Sequence, residues 1–125
     1  EQRRGKEVLE TDKTSAEPIL PGMTVVVLIN GGSASASEIV ALALRDTIGS
    51  KIVGEKSFGK GVVQQLIPFD DGSALKVTVA RWFSPKGTNI DKKGITPDQK
   101  VELTEADVEA GNDPQLQAAL KLLTE

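Results

Sequence analysis

The sequence predicts a single α/β domain, and three stretches carry that prediction. Thr24 to Ile29 is β-branched and continuously apolar, as expected of a strand buried on both faces of a sheet. Asn30, Gly31 and Gly32 end it, and a helical pattern follows from Ala36 to about Ile48. That pattern is apolar nearly all round through Ile39, Val40, Leu42 and Leu44, so the helix is expected to be buried, with Gly49 as its stop. Further on, Leu75, Val77, Val79 and Arg81 alternate as the second strand of a hairpin. Its first strand runs from Val62 to Phe69, and Asp70-Asp71-Gly72-Ser73 forms the turn.

The remaining elements follow from local signals. Residues 1 to 23 are polar and carry Gly5, Pro18, Pro21 and Gly22, so at best one short strand is expected, around Glu7 to Glu10, then a loop. They read as an N-terminal segment or linker ahead of a core at 24 to 125. Lys51 to Gly54 is a short strand leading into the glycine-bearing loop Glu55 to Gly61. Ser84-Pro85-Lys86-Gly87 turns the chain again, and Gly94 to Leu103 is extended. A helical start falls at Thr104. Asp113 and Pro114 read as N-cap and first residue of a final helix to about Leu123, with Leu116, Ala119, Leu120 and Leu123 as its apolar stripe.

Composition narrows the function classes. The 125 residues are 38% apolar, enough for a real core, although only 3% are aromatic. Fifteen basic side chains against 18 acidic ones give a formal charge of −3, which disfavours nucleic acid as a partner. The absence of cysteine removes a disulfide framework and a thiolate zinc site, and no metal or cofactor is expected. No apolar run approaches the roughly 20 residues needed to cross a bilayer. The first residues lack an initiator methionine and the apolar core of a signal peptide, so an excised fragment or mature product is expected. Histidine is absent altogether, which excludes an imidazole base; any hydrolytic chemistry must use another one.

The stretch "NGGSASASEIVALAL", residues 30 to 44, raises two readings. Ser35-Ala36-Ser37-Glu38 fits a capping box, in which the Ser35 hydroxyl accepts from the Glu38 amide and the Glu38 carboxylate accepts from the Ser35 amide. The same strand, tight turn and helix also place a hydroxyl at the C-terminal edge of a sheet, facing unpaired amides and the positive end of a helix dipole. The Ala36 amide is then the natural donor to an oxyanion. Spacing alone leaves Ser33, Ser35 and Ser37 as candidates, with Ser35 favoured because it sits at the junction.

With no histidine, lysine is the available base, and Lys60 in "SFGKGVVQQ" has a special setting. Gly59 and Gly61 free its backbone to approach other segments closely. A lysine acts as a base near neutral pH where burial among apolar groups disfavours its charged form, and Phe58, Val62 and Val63 are expected to supply that dryness. The plainer alternative is a solvated lysine in a glycine loop. Gly54, Gly59 and Lys60 also come near a phosphate-binding loop, but Gly61 stands where a serine or threonine is required, and the following residues read as strand. Gln64 shares a strand face with Lys60 at a distance of about 13 Å, so contact between them needs a bend or long side chains leaning together; Gln65 faces away. A polar residue on a half-exposed strand is the equally simple account of Gln64.

Together, "NGGSASASEIVALAL", "GEKSFGKGVVQ", "DGSALKVTVARWFSPKGTNI" and "KGITPD" resemble the catalytic core of the carboxyl-terminal processing (tail-specific) proteases, peptidase family S41. The likeness covers roughly residues 24 to 103, and "DPQLQAALKLL" resembles the helix that often closes that domain. The resemblance implies a ClpP/crotonase-like spiral of strands and helices, here as a partial catalytic core. It also implies a serine-lysine dyad with Ser35 as nucleophile, Lys60 as base, Gln64 as its orienting partner and the Ala36 amide as one oxyanion donor. Ser33 and Ser37 keep the capping role. Implied partners are unfolded proteins or C-terminal tails, an upstream PDZ domain and a possible homo-oligomer, in a bacterial envelope or thylakoid lumen. The family's PDZ domain and its arginine-asparagine-glycine segment, which gives the second oxyanion amide, have no counterpart in residues 1 to 23. The chain is therefore expected to be impaired alone, since losing one such donor costs about 100- to 1000-fold in turnover. A non-catalytic module binding peptide strands along a sheet edge is the alternative, and a CoA-handling relative of the same fold lacks any carrier-binding motif here.

Overall fold

The architecture is set by a strand, a helix and a parallel strand: β3 (Val26–Ile29), α1 (Ala36–Ile48) and β4 (Lys51–Gly54) in a computed structural model that describes residues 1–17 and 21–124. β3 and β4 pair in parallel, Val26 opposite Lys51 through Ile29 opposite Gly54, and β7 (Gln99–Lys100) joins the other side of β4. Parallel pairing requires a long crossover, and α1 supplies it. The helix starts at the serine turn and ends at Gly49, which adopts the left-handed conformation (φ 73°) and donates its amide to Arg45.

The second sheet is antiparallel, in the order β2-β1-β6-β5. β5 (Val62–Pro68) and β6 (Ala74–Trp82) form the expected hairpin around Asp70-Asp71-Gly72-Ser73, with an irregularity in register between Val63 and Gln64. β1 (Gln2–Arg4) and β2 (Glu7–Glu10) form a second hairpin, and β1 pairs with the end of β6 through Gln2 opposite Trp82. Two strands thus stand where one at best was expected, because three polar residues show no periodicity and are fixed by their partner strand. Residues 18–20, including Pro18 of the expected loop, lie outside the described residues.

The core gathers Ile29, Ala41, Leu42, Ile52, Ile90 and Ile95, with Val27 packed against it. It lies between one face of β3 and β4, one face of α1, and the loop before β7. Two burial expectations are corrected here. β3 is the edge of its sheet and Leu28 is 41% exposed, so burial on both faces does not hold. α1 is buried along one side only, with Val40 57% and Ile48 59% exposed, since no element packs on its outer face among the described residues. α2 (Glu105–Glu109) begins at Thr104 and α3 (Pro114–Thr124) at Asp113, whose carboxylate accepts from the Leu116 amide at 2.8 Å. α3 packs on β3 and β4 through Gln115 and Ala119, while Leu116, Leu120 and Leu123 are exposed. The expected stripe is therefore rotated. A small Ala119 permits close approach, and the Gln115 side-chain amide donates to the Val101 carbonyl at 2.9 Å, which fixes that face inward.

Candidate active site

The serine turn stands at the C-terminal edge of β3. Asn30 shapes it: the Asn30 Oδ1 accepts from the Gly32 amide at 3.0 Å, and the Ser33 amide donates to the Asn30 carbonyl at 2.9 Å. The Ser33 hydroxyl accepts from the Asn30 amide at 3.1 Å, so Ser33 serves the turn. Ser35 has φ 55° and ψ −114°, a backbone conformation that L residues rarely adopt and one suited to a sharp strand-to-helix junction. Holding it there costs on the order of 1–3 kcal/mol, which the surrounding bonds must offset. The Ser35 amide donates to Glu38 Oε2 at 2.9 Å, the carboxylate half of the capping box. The hydroxyl lies in capping-box register without a cap hydrogen bond of ordinary geometry. The Ala36 amide, next in the chain, has no hydrogen-bond partner among the described residues and sits at the positive end of the 13-residue α1.

Glu38 does far more than cap. Its side chain is fully buried, and its carboxylate accepts four hydrogen bonds. Oε1 accepts from the Ser57 hydroxyl at 2.5 Å and the Gly59 amide at 2.8 Å; Oε2 accepts from the Ser35 amide at 2.9 Å and the Lys60 amide at 2.9 Å. One oxygen thus holds the backbones of Ser35 and Lys60 within two hydrogen-bond lengths of each other. The Phe58 amide adds a further tie to the Ser33 carbonyl at 3.0 Å. A buried carboxylate is tolerated because every donor around it is directed at it.

The lysine loop reaches this position because its glycines permit close contact. Gly59 has φ 90°, and a Cβ there would stand 2.6 Å from the Gly94 nitrogen. A Cβ on Gly61 would stand 2.5 Å from the Asp91 nitrogen. The loop then runs into β5, not a helix, so it lacks the amide cradle of a phosphate-binding loop.

The side chains of the lysine loop are less constrained than its backbone. Lys60 is exposed, and its amine makes no hydrogen bond or ion pair among the described residues. The expected dryness is not supplied by its neighbours: Phe58 is 68% exposed and Val62 and Val63 are half-buried, because the loop's apolar groups have nothing stacked over them. Gln64 is exposed on β5, and its amide reaches Thr78 Oγ1 at 3.5 Å, with no bond to Lys60 among the described residues. The register irregularity between Val63 and Gln64 lies beside it but brings no Gln64–Lys60 bond among the described residues. The structure brings Ser35, Ala36 and the Lys60 backbone together and leaves Gln64 apart.

Sequence reasoning placed Glu38 only as a cap and missed Ser57. A signal existed for Glu38: it shares a helix face with Ala41 and Leu42, both buried, and an acidic side chain on a core-facing stripe needs partners. Ser57 carried no such mark.

Residues 1–101 match the family described as Peptidase family S41. The chain belongs to peptidase family S41. It is 48% identical over 103 residues to the carboxyl-terminal-processing protease of Synechocystis sp., covering 80% of this chain and 24% of that relative. A protein of the same description from Picosynechococcus sp. is 42% identical over 121 residues, 94% of this chain and 29% of the relative. The chain thus spans less than a third of the length of the curated relatives it matches. Among solved structures, the photosystem II D1 C-terminal processing protease superposes with a TM-score of 0.60 at 46% identity, over 65% of this chain and 21% of that one. Tricorn protease superposes with a TM-score of 0.65 at 20% identity over 80% of this chain and 10% of that one, a likeness of fold alone. The S41 fold of this chain is the mixed α/β, ClpP/crotonase-like spiral. The S41 match begins at residue 1 and so takes in the first hairpin, which is bonded to β6.

Proposed function

We propose that the protein carrying this chain is a serine endopeptidase that cleaves unfolded proteins near their C-termini. The observation that carries the reading is the single buried Glu38 oxygen that accepts from both the Ser35 and the Lys60 amides. Ser35 is the nucleophile, a role supported by its rarely adopted backbone conformation at the strand-to-helix junction. Lys60, in its neutral form, takes the Ser35 proton as the hydroxyl oxygen attacks a peptide carbonyl. The negative charge that develops on the carbonyl oxygen meets the Ala36 N–H and the helix dipole. Collapse expels the amine of the leaving segment, which takes the proton from Lys60, and leaves an acyl ester on Ser35; water then releases it. Gln64 orients the Lys60 amine once its weak contact to Thr78 is given up.

The reading extends to the partners: C-terminal tails as substrates, captured by a PDZ domain elsewhere in the protein, and a possible homo-oligomer. It extends to location, outside the cytoplasm or in the thylakoid lumen, which agrees with a relative described as the chloroplastic C-terminal processing peptidase of Tetradesmus obliquus. The isolated 125-residue chain is expected to be strongly impaired, since Lys60 is exposed and one oxyanion amide is present. The test is hydrolysis of an unfolded protein by the full-length protein. Ser35→Ala and Lys60→Ala are expected to abolish it while leaving the fold intact, and full activity in either variant contradicts the dyad. A peptide-binding module without chemistry is the second reading, favoured by the outer edge of β5, which is unpaired among the described residues; it predicts peptide binding with no turnover in the unaltered protein.

A further inference from the structure

Ser57 is buried at the centre of the Glu38 network, yet it lies outside the residues to which the chemistry is assigned. Its hydroxyl has one proton and faces two groups. The Ile95 amide, 2.6 Å away, can only donate, so the Ser57 oxygen accepts there. Its own proton must therefore go to Glu38 Oε1 at 2.5 Å. The Ser57 amide also donates to the Ile95 carbonyl at 3.1 Å, so residues 57 and 95 are clipped together at two points. Ile95 is 2% exposed and belongs to the same apolar cluster as Ile52 and Ile90. A continuous path therefore runs from the core through Ile95 and Ser57 to Glu38, and from Glu38 to the amides of Ser35 and Lys60.

We propose that Ser57 is a positioning residue of the dyad: its hydroxyl fixes the Glu38 carboxylate against the core and so sets the separation of Ser35 from Lys60. The three backbone donors on Glu38 come from the two segments whose spacing is at issue, the turn at Ser35 and the loop at Gly59 and Lys60. Ser57 is the one side-chain donor of the four, and its hydroxyl links the carboxylate directly to the Ile95 amide. The Lys92 amide, which donates to the Gly59 carbonyl at 2.8 Å, holds the loop but not the carboxylate, so without the Ser57 hydroxyl Glu38 loses its direct tie to the core-anchored segment. Proton transfer from Ser35 to Lys60 depends on hydrogen-bond distance, and a displacement of about 1 Å can cost about 100-fold in rate.

This inference rests on the dyad reading, and its test separates the two. Ser57→Ala in the full-length protein is assayed on an unfolded protein substrate, with active sites titrated by a serine-directed acylating reagent. Turnover per titrated site is expected to fall by about 10- to 100-fold with KM unchanged. A role confined to stability would lower the number of titratable sites and leave turnover per site at the unaltered value, which would overturn the proposal. If Ser57→Ala does not fold, Ser57→Cys keeps the size with a weaker donor; a folded Cys variant must show reduced turnover per site, and unaltered turnover overturns the proposal. Ser35→Ala is the control. An inert Ser35→Ala protein beside an unimpaired Ser57→Ala protein overturns the Ser57 role alone, whereas a Ser35→Ala protein that still hydrolyses overturns the dyad and the Ser57 role together.

Discussion

The junction around Glu38 and the hairpin that carries Gln64 are built to opposite standards. At the junction, one buried carboxylate accepts four hydrogen bonds, and glycines let two loops meet at backbone distance. On the β5–β6 hairpin, Gln64 makes one 3.5 Å contact, and Leu66, Ile67, Phe69 and Leu75 are all exposed. The first region fixes where the backbones of Ser35 and Lys60 stand. The second leaves the Gln64 side chain and the Lys60 amine without a firm hold among the described residues. The chain thus specifies the positions of the Ser35 and Lys60 backbones more firmly than the surroundings of the Lys60 and Gln64 side chains.

The sharpest way to break this contrast is Glu38→Ala, which leaves four donors without their acceptor, those of Ser57 and Gly59 buried. It is expected to destabilise the chain by about 3–5 kcal/mol, read as a fall in the urea or thermal midpoint. A loss under about 1 kcal/mol would mean that water replaces the carboxylate and that the junction is no better held than the hairpin. Gly59→Ala comes next. It combines φ 90° with a 2.6 Å approach to Gly94, so a cost on the order of 2–3 kcal/mol is expected by the same unfolding measurement. Gln64→Ala should sit at the other extreme, within about 0.5 kcal/mol of the unaltered chain, while lowering turnover in the full-length protein. A large stability loss there would show the hairpin to be as tightly built as the junction.

The smallest effect concerns a titration away from both regions. The Thr104 hydroxyl, and after it the Thr104 amide, hold the exposed Asp107 carboxyl below the ordinary aspartate range. A lowered carboxyl stabilises the fold above its unfolded-state value and loses that contribution as pH falls through the folded value. Thr104→Ala should therefore move the Asp107 titration, followed by NMR, upward towards the ordinary range, and leave the junction's resonances in place.

Much of the fold was legible because its signals are local. α1 runs from Ala36 to Ile48 as predicted, since a serine turn before it and Gly49 after it mark both ends. The β5–β6 hairpin was equally legible from its turn and alternation. What escaped depends on tertiary partners. β1 exists because β6 pairs with it, Leu28 is exposed because β3 is an edge, and α3 turns Gln115 inward because the Val101 carbonyl awaits it. At the site, a cap explained Ser35, but a cap alone does not reveal that the capping carboxylate also accepts from residues 57, 59 and 60. The cap and the proposed nucleophile share one acceptor: the Glu38 oxygen that takes the Ser35 amide at the start of the helix also takes the Lys60 amide.

The central claim is that this shared carboxylate places Ser35 and Lys60 in one reactive unit. Labelling the full-length protein with a fluorophosphonate, then mapping the modified residue, tests it most directly. The expected result is modification at Ser35 alone, lost in Ser35→Ala and strongly slowed in Lys60→Ala. Modification at Ser33 or Ser37, or labelling of Ser35 at an unchanged rate without Lys60, would contradict it.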